Sequence, residues 1–423
     1  MNANAQNNFQ RHVLEILFLG LSYIFVGLLG TKLALPPGYA SAVFPASGIA
    51  LFAILWRGYS IWPGILLGSF SMNLWISFQN NPDLSFVLFL PVGLAIGLGA
   101  SAEALFGAYV FQRLMGTNNP LERVFTLIVF ALFSAVLGSM ISASVGVTSL
   151  CLAQIAPWAN FLENWFTWWL GDAIGILIFT PMLMVLIKLN SFRLKSVQIL
   201  EAVLLLFFIF IVSKGVFAGG FTDIPYPLVF LTFPILIWFA FRLGEPGAMI
   251  GIGLVSLIAT LETINGNGPF IVNRSPNESL LLLQIFLGSI TLFTLFFTAS
   301  LNENKQIEKS YNHLLAEIGT MHTGVPLPVR SNLPANQPTH PSTPGLGGEF
   351  SSLAQSAKEN LFGLPSLVGI AIIIFTLFIW RGMILEDEKN ITNRMGLKLT
   401  HIKSEILNKI DHQILALKRM TAH

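Results

Sequence analysis

Charge and cysteine are what this chain of 423 residues has least of. Asp, Glu, Lys and Arg together make up 10% of it, and cysteine occurs once, at Cys151. One cysteine excludes an intramolecular disulfide framework and a cysteine-built metal site. So few charges exclude an ordinary soluble surface, since soluble domains carry about 25% charged residues. The net charge of +2 is too small to argue for nucleic acid, and no basic patch stands out, so no nucleic-acid partner is expected. Dinucleotide fingerprints, phosphate loops, zinc spacings and nucleophile triads are missing as well. No cofactor, no metal and no enzyme activity are therefore expected of the chain as it stands.

What the chain has instead is apolar surface. Hydrophobic residues make up 54% of the sequence, with 36 Phe, and the mean hydropathy is +0.70. Trp56, Trp62, Trp75, Trp158, Trp165, Trp168 and Trp169 gather near the ends of apolar runs, as an interfacial aromatic belt requires. The expected class is an all-α polytopic membrane protein whose first partner is the lipid bilayer. Ten transmembrane helices are expected near 13–34, 39–56, 60–78, 84–111, 124–150, 163–187, 198–213, 226–241, 247–263 and 280–300. The first run is long and has no cleavage site after a short core, so it reads as a retained span behind a leader at 1–12. Arg11, Arg57, Arg113, Arg123, Lys188, Arg193, Lys195, Arg242, Lys305 and Lys309 fall in one set of loops, and only Lys32, Lys214 and Arg274 in the other. The positive-inside rule makes the first set cytoplasmic, with the N-terminus inside.

From Leu301 the chain changes character. LNENKQIEKSYNHLLAEIG spaces its charges as a helix leaving the membrane does, and 325–348 is a Pro/Gly/Ser-rich linker that cannot bury a core. A cytoplasmic helix and linker are therefore expected over 306–360, and an eleventh, outward span over 361–385. The remainder, 386–423, has apolar residues every three or four positions and reads as an extracytoplasmic amphipathic helix. Such a helix needs a partner surface, and the expectation is a chain that continues to supply one.

The stretch 39–75, YASAVFPASGIALFAILWRGYSIWPGILLGSFSMNLW, is the most distinctive, and 233–256 echoes it. Both have Phe-Pro, an apolar run, an Arg and Gly turn, then Pro-Gly with another Gly four residues on. Duplication would make this a parallel repeat; the simpler account is that membrane hairpins commonly use Arg at the inner turn and Pro-Gly at a helix start. The first copy, together with NWFTWWLGDAIGILIFTPMLMVL at 164–186 and RLGEPGAMIGIGLVSLIATLETINGNGPF at 242–270, resembles the first family of membrane-associated sensor (MASE) domains. The resemblance covers 13–305. It implies the input region of a bacterial inner-membrane histidine kinase or cyclic-di-GMP enzyme. Residues 386–423 look like the opening helix of an extracytoplasmic CHASE sensor domain, or a generic membrane-proximal signalling helix. The GGEF at 347–350 sits in the linker without an α/β surround and reads as chance, and His313 lacks the residues that follow a phosphoacceptor histidine.

Charged groups inside spans are expensive and so mark candidate sites. Asp172, within WWLGDAIG and about two turns inside its span, is the first candidate for ligand binding or coupling. Glu103 in a small-residue run and Glu262 near the outer face follow, with Asn73 as a possible structural hydrogen-bond partner of Asp172. The structural alternative is a hydrogen bond that fixes helix register; for Glu262 and Glu163 it is plain solvation. The Gly/Ala runs at 93–108 and 247–253 read as helix packing. The expected function is a sensory input module, acting as a homodimer and responding to a small ligand or a membrane-protein partner. The alternative is a small-solute transporter, which ten spans and intramembrane carboxylates would also suit.

Overall fold

The computed structural model describes residues 3–32, 41–80, 86–188, 196–219, 228–271 and 276–323. They form helices and turns, with no strand among them. In order come α1 (Ala3–Lys32), α2 (Pro45–Arg57), α3 (Trp62–Asn80) and α4 (Phe86–Met115). One long span then runs through α5 (Val124–Val129), a π-helical segment (Phe130–Leu137) and α6 (Gly138–Leu152). Next are α7 (Phe161–Leu186), α8 (Ser196–Phe217), α9 (Thr232–Ile264) and α10 (Pro276–Thr323). The expected linker at 325–348, the span at 361–385 and the helix at 386–423 lie outside the described residues.

Among the described residues, eight helices are long and apolar enough to cross a membrane, rather than the expected ten. The difference lies at two places. The expected span 39–56 is the 13-residue helix α2, about 20 Å long at 1.5 Å per residue, against a hydrocarbon core of about 30 Å. Pro45 sets its first turn and Phe44 before it is extended, so the helix cannot begin earlier. The expected spans 226–241 and 247–263 fall largely within α9, which breaks at Gly244 (φ 67°, ψ −150°). Beyond that glycine the chain folds back, because a Cβ on Gly251 would lie 2.9 Å from the Leu236 side chain. Fifteen residues of continuous helix would hold those positions about 22 Å apart.

Contacts divide the chain into two units: Met1–Asp223 with Leu231–Gln337, and Ile224–Phe230 with Pro338–His423. Of the second, only Leu228, Val229 and Phe230 are described, in a 3-10 turn. In the first, α3 packs between α1 and α4, and α4 packs on α6. The central helix is α7, which touches α2, α6, α9 and α10; α9 in turn packs on α8 and α10. Large apolar side chains on outward faces, such as Phe207, Phe208 and Ile211 on α8, are exposed, as a protein dissolved in lipid allows.

Candidate functional site

The site forms where α2 begins, inside the molecule. Phe44 donates its N–H to the Gly171 carbonyl at 3.0 Å, which sets the start of α2 against α7. The approach is possible because α7 carries Gly175 one turn further on: a Cβ there would lie 2.0 Å from the Phe44 carbonyl oxygen. Gly48 of α2 meets the Gly175 carbonyl in the same way, at 2.4 Å. Thr180 donates to the Gly48 carbonyl at 2.9 Å. Two backbones in contact bring the first turn of α2, and its partial positive charge, against Asp172.

Asp172 is buried near the midpoint of α7, further from the helix start than the two turns expected from sequence. Ser47, in the first turn of α2, donates its hydroxyl to Asp172 Oδ1 at 2.9 Å. Ser142 of α6 and Trp168, one turn back along α7, also face the Asp172 carboxyl. Glu103 of α4, equally buried, faces the same group: Ser47, Ser139 and Ser142 lie against its carboxyl, and Asp172 is its electrostatic neighbour. Ser139 is committed to the Ala135 carbonyl through its own hydroxyl. Tyr23 of α1, fully enclosed, looks towards both carboxyls and to Ser69 of α3. The donors fall short. Among the described residues, Asp172 Oδ2 and Glu103 Oε1 are buried with no hydrogen-bond partner, and no Lys, Arg or His faces either carboxyl. Two carboxyls with an unanswered oxygen each are costly so far from water.

The site is braced from two sides. The π-helical segment ahead of Ser139 and Ser142 is held by Ser134 donating to the Gly107 carbonyl at 2.9 Å, and by the Trp169 indole donating to the Val136 carbonyl at 2.9 Å. On the other side, Gln284 of α10 donates to the Ser41 carbonyl at 3.0 Å and the Thr167 carbonyl at 2.9 Å. One amide thus ties α10 both to α7 and to the segment that leads into α2.

A family model, MASE1, matches residues 14–305, which is more than half of the chain. The chain belongs to the MASE1 family. MASE1 is a membrane sensory domain of signalling proteins and not a catalytic one, so the helices described here are those of a sensor. No curated protein and no solved structure matches.

Within this MASE1 domain the remaining sequence candidates separate. Glu262 is buried and ion-paired with Lys214 of α8, and it accepts a further hydrogen bond from Asn267 at 3.1 Å. Pairing, not solvation, is therefore its state, and it stands apart from Asp172. Asn73 does not reach Asp172; its amide donates to the Ser69 carbonyl at 2.8 Å. Ser47 holds the place that Asn73 was expected to take. Asp172 and Glu103 do come together. Sequence reasoning missed Ser47, Ser139, Ser142, Tyr23, Trp168 and Gln284. The available signal was weak: Ser47 lies inside the Pro-Ala-Ser-Gly that marks the α2 start, and Ser139 and Ser142 are one turn apart on one helix.

Proposed function

We propose that this chain is the input region of a bacterial signalling protein of the histidine-kinase or cyclic-di-GMP type, working in the inner membrane with its N-terminus in the cytoplasm. The observation that carries the reading is the Asp172–Glu103 pair, buried, short of donors, and built across α2, α4, α6 and α7. A small ligand or a membrane-protein partner that alters this pair alters how α2 sits on α7. Gln284 then transfers the change to α10, which leads to the output. The orientation is supported by Arg57, Arg113, Arg123, Lys188 and Arg242, all at the same end of the helices. The span at 361–385 and the CHASE-like helix at 386–423 form the second part of this proposal and rest on their apolar spacing. Two copies act together as a homodimer.

The test is a fusion of residues 1–319 to a cyclase reporter, with Asp172→Asn and Glu103→Gln introduced singly. Each variant is expected to lock the output high or low while membrane insertion is retained. Output that follows the parent in both variants would overturn the reading. The short helix α2, with its N-terminus at an intramembrane carboxylate, also favours a transporter, since transporters bind substrate at broken helices. Substrate accumulation in vesicles, lost with Asp172→Asn, would decide for transport.

A further inference from the structure

Helix α10 runs unbroken for 48 residues, about 72 Å, more than twice the thickness of a hydrocarbon core. It therefore leaves the membrane region as a rigid rod, and where that rod is held decides what it can transmit. Two adjacent residues hold it at the exit. Asn302 donates its side-chain amide to the Leu121 carbonyl at 3.0 Å and to Glu245 Oε1 at 2.6 Å. Glu303 accepts the Val124 backbone N–H at 3.2 Å.

The three partners belong to two different turns. Glu245 directly follows Gly244, where α9 folds back. Leu121 lies between α4 and α5, in a turn closed by Asn119 accepting the Leu121 N–H at 3.2 Å, and Val124 is where that turn enters α5. Val124 is the first residue of α5, and Arg123 before it offers no side-chain cap. The first N–H groups of a helix need an acceptor from outside it, and Glu303 supplies one from another helix. The capped span is the one that carries Ser139 and Ser142 to the carboxyl pair. Next to this junction an open cavity of about 460 Å³ lies along α10, lined by Arg123, Glu303, Ile307, Tyr311 and Leu314. Ile307, Tyr311 and Leu314 are exposed, so α10 has room on that side to lean.

We propose that Asn302 and Glu303 form a latch that fixes the position of α10 against the α4–α5 and α9 turns, and that opening this latch is the step by which the membrane domain moves its output helix. Asn302 and Glu303 are positioning residues in this scheme. One amide joins α10 to both turns, so a shift of either turn loads the same side chain. The latch deepens the sensory reading but is measured without any output, so either can fail alone.

Cys151 is the sole cysteine and is buried, so Cys151→Ala gives a background for paired spin labels at Asn118 and Lys309, both exposed. In the full chain, reconstituted in lipid, the parent should give one narrow distance distribution. Asn302→Leu and Glu303→Leu should each broaden it and shift its mean by about 5 Å, one helical pitch. Glu303→Gln, whose amide oxygen still accepts the Val124 N–H, should keep the parent distribution, which an effect of the carboxylate charge alone would not predict. Glu245→Ala removes the other acceptor independently and serves where a leucine variant fails to insert. A parent-like distribution in any inserted variant other than Glu303→Gln would overturn the latch.

Discussion

At the scale of single residues, the carboxyl pair is a problem of donors. Ser47 donates to Asp172 Oδ1, while Asp172 Oδ2 and Glu103 Oε1 have no donor among the described residues. Removing a hydroxyl from such a group leaves a buried acceptor unanswered, at about 1–3 kcal/mol. Ser47→Ala is therefore predicted to lower the thermal midpoint in detergent clearly, whereas Ser60→Ala, at an exposed position, leaves it unchanged. Replacing both partners by apolar side chains removes the mismatch, so Ser47→Ala with Asp172→Leu should cost less than the two single changes added together. Additive costs would show that the hydroxyl does not serve Asp172. Asp172 was legible in the sequence because a charge in an apolar span stands out. Its partners were not, because serine in a membrane helix is ordinary and only the three-dimensional meeting of α2, α4, α6 and α7 gives Ser47 and Ser142 a role. Asn73 shows the same limit from the other side: its chemistry suits Asp172, but its amide is turned to Ser69 on its own helix.

At the scale of helices, backbone contact between α2 and α7 positions everything else. A methyl group on Gly175 would fall 2.0 Å from the Phe44 carbonyl, backbone against backbone, whereas one on Gly253 would meet only the Met182 sulfur at 3.8 Å. Gly175→Ala must push α2 off α7 and is predicted to cost on the order of 3 kcal/mol, the upper range for overpacking. Gly253→Ala should be neutral or slightly stabilising, because alanine is the better helix former. Equal melting of the two variants would refute the close approach. The two Arg–Gly turns make a related comparison. Gly58 (φ 94°, ψ 176°) and Gly244 (φ 67°, ψ −150°) share a conformation nearly reserved for glycine, and a Cβ at either would meet nothing within 4 Å. Alanine there pays only backbone strain, about 1–3 kcal/mol, so Gly58→Ala and Gly244→Ala should destabilise to a similar degree. That likeness is what either duplication of 39–75 and 233–256 or common hairpin chemistry would give. The hairpins were legible because Phe-Pro, Arg-Gly and Pro-Gly punctuate both. The shortness of α2 was not, because hydropathy counts apolar residues without registering that Pro45 starts the helix partway along the run.

At the scale of the whole domain, the ends of the helices differ in chemistry, and that difference implies an orientation. One end carries Arg57 paired with Glu15 of α1, and Arg242 paired with Glu201 of α8. The other carries Lys214 paired with Glu262. Each basic residue named at these ends has an acidic partner, so pairing does not distinguish them; the number of Lys and Arg residues does, and translocation responds to that number and not to net charge. On the proposed orientation, the Arg57 end, where α10 also continues beyond the apolar region, is the cytoplasmic one. With Cys151→Ala as background, Ser60→Cys beside the first turn and Asn265→Cys at the opposite end place single thiols at exposed positions. An impermeant thiol reagent added to intact cells is predicted to label Asn265→Cys and to reach Ser60→Cys only after the membrane is opened. The reverse pattern would send α10, with the Asn302–Glu303 latch, to the outer side. A sensor with its output helix outside could not drive a cytoplasmic kinase or cyclase, so this one labelling experiment bears on the orientation and on the direction of signalling together.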